Sequence, residues 1–308
     1  MKKNDFLSIK DLSPKTILVL LKTASQFKKS KIKRSLHLKG KSVGLLFQKP
    51  SNRTRVSFEV AIWQMGGNCI YLSPEEIDLG KRESTADVAR TLSRYLDCIV
   101  ARTNHHQDVV DLAKFASVPI INGLSDLTHP CQGLADLLSI QEKFKNLKGM
   151  TVAYIGDGNN VCHSLMLGCA KVGLNIHIAT PKNYEPLAEM VSSTKEFAKE
   201  TGAKVLLTNS PQAAVKGAHV IYSDVWVSMG QEKESEMRLK DFQGFQINAD
   251  LLKLADKKYI FMHCLPAHRG LEVTSDVIDG PHSVVFDQAE NRLYVQKAVL
   301  EFLVGDKK

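Results

Sequence analysis

The chain has 308 residues, 44% of them hydrophobic, which is enough for two domains with cores of their own. Its formal net charge of +8 at pH 7 admits nucleic acid, an acidic membrane or small anions as partners. No nucleic-acid signature interleaves aromatics with the charge, and no apolar run is long enough to span a bilayer; an anion-binding or nucleic-acid-binding protein without catalysis stays a rival reading of the +8 charge.

Lys28, Lys29, Lys31, Lys33 and Arg34 form a short basic stretch that reads as a solvated helix face. The first strand-like run is Ser42–Phe47. Lys49-Pro50 breaks it, and Ser51 is a good cap for the helix-like run Val56–Met65. Ser51-Asn52-Arg53-Thr54-Arg55 therefore sets two guanidinium groups, two hydroxyls and several backbone N–H groups at a helix N-terminus. Orphan N–H groups and the helix dipole both favour negative charge there, and arginine adds planar, bidentate donors suited to phosphate. Strand Cys69–Leu72 and helix Ser84–Tyr95 follow. Strand Cys98–Arg102 ends on a charge, and a charge at the carboxyl end of an apolar strand tends to face a cleft.

After strand Pro119–Asn122, His129-Pro130-Cys131-Gln132 opens the helix Leu134–Phe144, with His and Gln able to present a donor and an amide to a ligand. Lys148-Gly149 is a natural connector. Strand Thr151–Ile155 runs into Gly156-Asp157-Gly158-Asn159-Asn160, which imitates the start of a dinucleotide fingerprint. Val161 occupies its third glycine position, and the next strand, Asn175–Ala179, ends without an acid for a ribose, which disfavours a nicotinamide dehydrogenase. The two asparagines instead offer amides at the start of helix Ser164–Val172, useful for a carboxylate.

Helix Leu187–Thr201 and strands Lys204–Thr208 and Val220–Ser223 lead to Asp224-Val225-Trp226-Val227-Ser228-Met229-Gly230. A carboxylate and a hydroxyl four residues apart can clamp an ammonium group. Strand Tyr259–His263 leads to Cys264-Leu265-Pro266-Ala267-His268-Arg269-Gly270. Cys264 invites a nucleophile or metal reading, but further ligands at regular zinc spacing are missing, so the metal expectation is none. A strand at Ser283–Phe286 and a helix at Asn291–Leu303, carrying Arg292 early, complete the pattern.

Short, apolar, unalternating strands between helices imply α/β domains with buried parallel sheets wound on both faces. Two domains of similar size are expected: 1–148, completed by a C-terminal helix over 291–308, and 149–290. Six cysteines without a C-x-x-C pair, and an N-terminus with no apolar signal core, fit the cytoplasm.

Ser51–Arg55, Arg102, His129–Gln132, Gly156–Asn160, Asp224–Gly230 and His263–Gly270, in this order over nearly the whole chain, resemble the aspartate/ornithine carbamoyltransferase family. Ser228-Met229-Gly230 and His263-Cys264-Leu265-Pro266 resemble its ornithine-specific members. The resemblance implies that Ser51, Asn52, Arg53 and Thr54 hold the phosphate of carbamoyl phosphate. Arg102, His129, Gln132, Arg292 and the backbone at Cys264 and Leu265 would bind its carbamoyl end. Asn160 would take the carboxylate of L-ornithine, and Asp224, Ser228 and Met229 its α-ammonium. Arg102, His129 and Cys264 would be catalytic. No cofactor, nucleic acid or membrane is implied, and the assembly would be a homotrimer or a multiple of trimers. Asn52 stands where threonine is more usual, and Asp78 where many members carry glutamine. Lys81 follows in a loop that reaches a neighbouring subunit's site in the aspartate-specific relatives. The segment 224–232 is a candidate lid.

Overall fold

The computed structural model describes residues 4–30, 34–77, 79–80, 82–228, 230 and 232–305. The chain divides into two compact units, Met1–Leu138 with Glu290–Lys308, and Ser139–Ala289. The first contains α1 (Pro14–Lys29), β1 (Ser42–Phe47), α2 (Asn52–Gln64), β2 (Asn68–Leu72), α3 (Pro74–Ile77), α4 (Thr85–Leu92), β3 (Cys98–Arg102), α5 (His106–Phe115), β4 (Ile120–Leu124) and the start of α6 (Pro130–Phe144). The second contains β5 (Thr151–Ile155), α7 (Asn160–Val172), β6 (Asn175–Ala179), α8 (Ala188–Thr201), β7 (Val205–Thr208), α9 (Pro211–Val215), β8 (Val220–Ser223), α10 (Ser235–Asp241), α11 (Ala249–Leu252), β9 (Ile260–His263) and α12 (Ser275–Ile278). It also holds the first turn of α13 (Val285–Val304), whose residues from Glu290 belong to the first unit.

Each unit has its own parallel sheet, in the orders β2-β1-β3-β4 and β7-β6-β5-β8-β9. In both sheets the strand order reverses once, and right-handed crossovers then place helices on both faces. The reversal lies between β1 and β3 in the first sheet and between β5 and β8 in the second. Outside the carboxyl ends of such strands the chain leaves a crevice. Phe47 pairs with Arg102 at the first reversal, and Ile155 with Ser223 at the second. The peptides that follow these four ends carry most of the motifs. Burial explains the lack of alternation: β3 and β8 are buried at every position, and β1 at all but its first. In the first unit Leu46, Ile99, Ala101 and Ile120 pack with Val109 and Leu112. In the second, Ile155, Ile221 and Phe261 pack with Trp226 and Phe242.

The expected strand at Ser283–Phe286 is not formed. Backbone bonds tie Phe261 to His282 and Val284 as one isolated bridge, and α13 starts at Val285 with Phe286 exposed. An apolar pair at a helix start had looked like a strand. Three helices begin four residues before the apolar runs at Val56, Leu134 and Ser164, at Asn52, Pro130 and Asn160, so the polar motif residues expected at their starts form their first turns. Among the described residues, no helix is long and apolar enough to cross a membrane.

Gly158 is required by packing. Its N–H donates to the Tyr184 carbonyl at 2.8 Å, and a Cβ there would lie 2.3 Å from Pro186 N and 2.5 Å from the Glu185 carbonyl carbon. Gly158→Ala should therefore destabilise the protein by ~1–3 kcal/mol, read as a lowered urea midpoint with an unchanged m-value.

Candidate active site

In the first unit the site grows from the N-terminus of α2. Ser51 is the N-cap, extended at φ −158°, and its Oγ accepts the Thr54 N–H at 3.3 Å. Asn52 is exposed, Arg53 is half-buried and Thr54 is buried. Arg55 faces outward, its Nε 2.8 Å from Glu59 and its guanidinium over the Tyr71 ring. The capped turn thus points Thr54 and Arg53 inward at the strand-order reversal.

Arg292, 3% exposed, joins three of the expected residues. One terminal nitrogen donates to Gln132 Oε1 at 2.7 Å and faces His129 Nε2 at 3.4 Å, and the other donates to Thr54 Oγ1 at 3.2 Å. Gln132 passes the connection on, donating to Asp136 at 2.8 Å. Arginine can only donate, so His129 Nε2 is the acceptor and the ring proton lies on Nδ1. Arg102 is 4% exposed at the end of β3. Among the described residues no carboxylate pairs with it, and its buried Nε has no hydrogen-bond partner. Burial, then Arg292 and Arg53, pull its pKa down to about 10. The same causes act on His129: burial first, then Arg292, Arg102 and Arg53, hold it well below the usual histidine value and therefore neutral. A cluster of buried guanidinium groups beside a helix N-terminus suits an anion.

In the second unit the centre is Asp224, 6% exposed, directly after β8. Its carboxylate accepts three donors: Asn159 Nδ2 at 2.8 Å, its neighbour's Val225 N–H at 2.8 Å and Cys264 Sγ at 2.9 Å. Asn159 is the N-cap of α7, and its Oδ1 takes the N–H groups of Val161 and Cys162. One side chain thus closes the helix and fixes the acid. The thiol donates to the carboxylate, so Cys264 faces Asp224 as a thiol. Asp224 raises the pKa of buried Tyr154 further, after the larger effect of burial.

Asn160 is half-buried at the first position of α7, and Ser228 is half-buried beyond Asp224. Met229, Asp78 and Lys81 lie outside the described residues. Sequence reading overlooked Asn159 as the residue that turns to Asp224. An asparagine at an N-cap was the available signal, divided between two adjacent asparagines. It also overlooked Arg238, 7% exposed, which donates to Asp157 at 2.9 Å, to the Trp226 carbonyl at 3.1 Å and to Glu234 at 2.9 Å. One guanidinium so ties both ends of the segment that carries Ser228. Burial pushes Asp157 up despite this partner, so the pair fixes geometry more than it adds net stability.

A metal has a nominal donor set here, because ligand atoms of Asp224, His263 and Cys264 lie within 4.8 Å of one another. The set is already engaged: Cys264 bonds to Asp224, His263 Nδ1 accepts the Leu265 N–H, and Nε2 faces Glu272. The donors fit one another better than they fit an ion.

Each unit thus presents one polar set at the reversal of its sheet, cationic in the first and a fixed carboxylate in the second. Within each unit this is where an open parallel α/β sheet places its ligand-binding groups. Residues 4–142 match "Aspartate/ornithine carbamoyltransferase, carbamoyl-P binding domain", and residues 148–303 match "Aspartate/ornithine carbamoyltransferase, Asp/Orn binding domain". The ornithine carbamoyltransferase of Pyrococcus horikoshii is 53% identical, over 100% of this chain and 98% of its own. That of Bacillus subtilis is 53% identical, over 97% and 93%. The solved structure of the Pyrococcus furiosus enzyme superposes with a TM-score of 0.96 at 53% identity, covering 99% of this chain and 98% of that one. The chain belongs to the aspartate/ornithine carbamoyltransferase family.

The charge cluster makes stability depend on pH. His129 titrates lower in the folded state than unfolded, so below the unfolded value near 6.5 the unfolded chain binds the extra proton and stability falls with pH. Urea unfolding between pH 7.5 and 5.5 should show this loss. His129→Asn should flatten it by up to about 1.4 kcal/mol per pH unit.

Proposed function

We propose that the chain transfers the carbamoyl group of carbamoyl phosphate to the δ-amine of L-ornithine, giving L-citrulline and phosphate. The observation that carries this reading is Arg102, buried with no carboxylate of the described residues paired to it, beside the capped α2 terminus and the neutral His129. The relatives named ornithine carbamoyltransferase over the full chain support it.

In this reading the phosphate sits on the first turn of α2 with Ser51, Asn52, Arg53 and Thr54. Arg102, Thr54 and His129 donate to the carbonyl oxygen as it gains charge, a stabilisation that needs fixed donors and no reorganisation. Gln132 and Arg292 hold these donors in place and complete the carbamoyl end with the backbone of Cys264 and Leu265. His129 acts as a neutral donor through Nδ1, since its depressed pKa keeps it from serving as an acid at neutral pH. The α-ammonium of ornithine pairs with Asp224 and Ser228, and its carboxylate with Asn160. The δ-nitrogen attacks as a neutral amine near Cys264, the bond from carbon to phosphate oxygen breaks, and the departing phosphate takes the surplus proton. Carbamoyl phosphate is already activated, so this chemistry calls for positioning and charge stabilisation and no cofactor.

The biosynthetic direction is supported by the Pyrococcus furiosus relative named "Ornithine carbamoyltransferase, anabolic". All six cysteines are free thiols, which fits a reducing compartment such as the cytoplasm. A homotrimer is what the family resemblance implies, and the exposed apolar Val56 and Trp63 of α2 and Ile70 of the edge strand β2 are available for association between copies.

Citrulline formation should occur with ornithine and not with putrescine, N-acetylornithine or aspartate. Arg102→Leu should lower kcat by ~10²–10³-fold. Asp224→Asn should raise the ornithine KM by roughly 10–100-fold with little change in the carbamoyl phosphate KM. Turnover of another amine would overturn the ornithine roles, and absence of any turnover would overturn the enzymatic reading.

A further inference from the structure

Asparagine is a poor strand residue, and a buried amide is costly unless it is bonded. Asn122 nevertheless sits inside β4 at 0% exposure. Its Nδ2 donates to the Leu7 carbonyl at 2.9 Å and to Thr128 Oγ1 at 3.0 Å. The Leu7 carbonyl can only accept, which settles which end of the amide faces it. Thr128, also 0% exposed, donates its hydroxyl to the same carbonyl at 3.1 Å. Asn122, Thr128 and Leu7 thus close a buried triangle of three hydrogen bonds.

The segment that brings Leu7 there runs beside β4. Phe6 N–H donates to the Ile120 carbonyl at 2.8 Å, Asn122 N–H to the Phe6 carbonyl at 2.8 Å, and Ile120 N–H to Asp5 Oδ1 at 2.9 Å. Phe6, 2% exposed, anchors it in the core. On the other side, Ser125 and Thr128 close a turn on themselves. Ser125 N–H donates to the Thr128 carbonyl at 3.0 Å, and Thr128 N–H to Ser125 Oγ at 3.3 Å. His106 Nδ1 lies 2.8 Å from that hydroxyl. The next residue is His129, whose carbonyl takes the N–H groups of Gln132 and Gly133 at 3.0 and 3.1 Å. The backbone of His129 is therefore set between a clamped turn and the first turn of α6, while its ring faces Arg292.

We infer that Asn122 and Thr128 are positioning residues that clamp the 125–128 turn to the Leu7 carbonyl and so hold the His129 ring in place. The kinetic consequence rests on the carbamoyl-transfer reading; the hold on His129 stands apart from it.

The first test is ¹⁵N spectroscopy of histidine-labelled protein, with the His129 signal assigned by its loss in His129→Asn. Thr128→Val keeps the shape and removes the hydroxyl. Its His129 ring should give up part of its burial and of its guanidinium neighbours, Arg292 on α13, Arg102 on β3 and Arg53 on α2, and titrate closer to the ordinary histidine value. The second test is the kinetics of Thr128→Val, Thr128→Ser and Asn122→Leu, with inorganic phosphate affinity by calorimetry. Thr128→Val and Asn122→Leu should lower kcat by ~10–100-fold, as a small misplacement of a reacting group does, with the ornithine KM and phosphate affinity held. Thr128→Ser restores the hydroxyl and should restore kcat. If Asn122→Leu does not fold, Thr128→Val decides. An unmoved His129 signal in Thr128→Val overturns the inference, whatever the turnover. So does a Thr128→Ser variant as impaired as Thr128→Val, or a loss of phosphate affinity matching the loss of kcat. A wild type that makes no citrulline overturns the carbamoyl-transfer reading, and a displaced His129 signal in Thr128→Val then still supports the clamp.

Discussion

Positive charge buried without a carboxylate among the described residues governs the first unit. Arg102 lies at the end of a fully buried strand, among other guanidinium groups, with no carboxylate of the described residues on it. Isolated, such a charge costs several kcal/mol. The surroundings limit the cost: His129 stays neutral, and Arg292 is stretched across Thr54, His129 and Gln132, with Asp136 behind the glutamine. What remains uncompensated is what an anion would compensate. Binding and folding are then coupled, because an anion bound only by the folded chain stabilises it by mass action.

The second unit solves the opposite problem, holding one carboxylate still. Asp224 receives an amide, a backbone N–H and a thiol, each from a different structural origin: a helix cap, its own turn and the end of β9. Both units use the same device of placing chemistry where strand order reverses, so sheet topology fixes the positions and loops supply the groups. Arg238 does not belong to either charge set. It fixes the peptide on which Ser228 rides.

The fold was legible because buried parallel strands leave a plain record. β1, β3, β5, β6 and β8 run as their apolar stretches indicate, and Pro119, lacking an N–H, stands just outside β4. Ser283–Phe286 misled because two apolar residues can start a helix as readily as a strand. Among the motifs, Ser51, Thr54, Arg102, His129, Gln132 and Arg292 were legible as residue types at strand ends and helix starts. What each contacts was not, since Arg292 meets Thr54 from 238 positions away. Asn159 was hidden by Asn160, two equal amides of which the cap geometry chooses one. Asn122 carried no local signal: an asparagine at the end of an apolar run announces its role only when the fold brings Leu7 to it.

The glycine-rich turn after β5 has a consequence for descent and design. Gly158 stands where a nucleotide-binding turn leaves room for pyrophosphate, but here the backbone of 184–186 already fills that room. Restoring a glycine at Val161 would reproduce the letters of a dinucleotide fingerprint and not its vacancy. A path from this turn to a nucleotide site passes through relocating the whole 184–186 connection, so the two kinds of turn are separated by a rearrangement of chain and not by a point change.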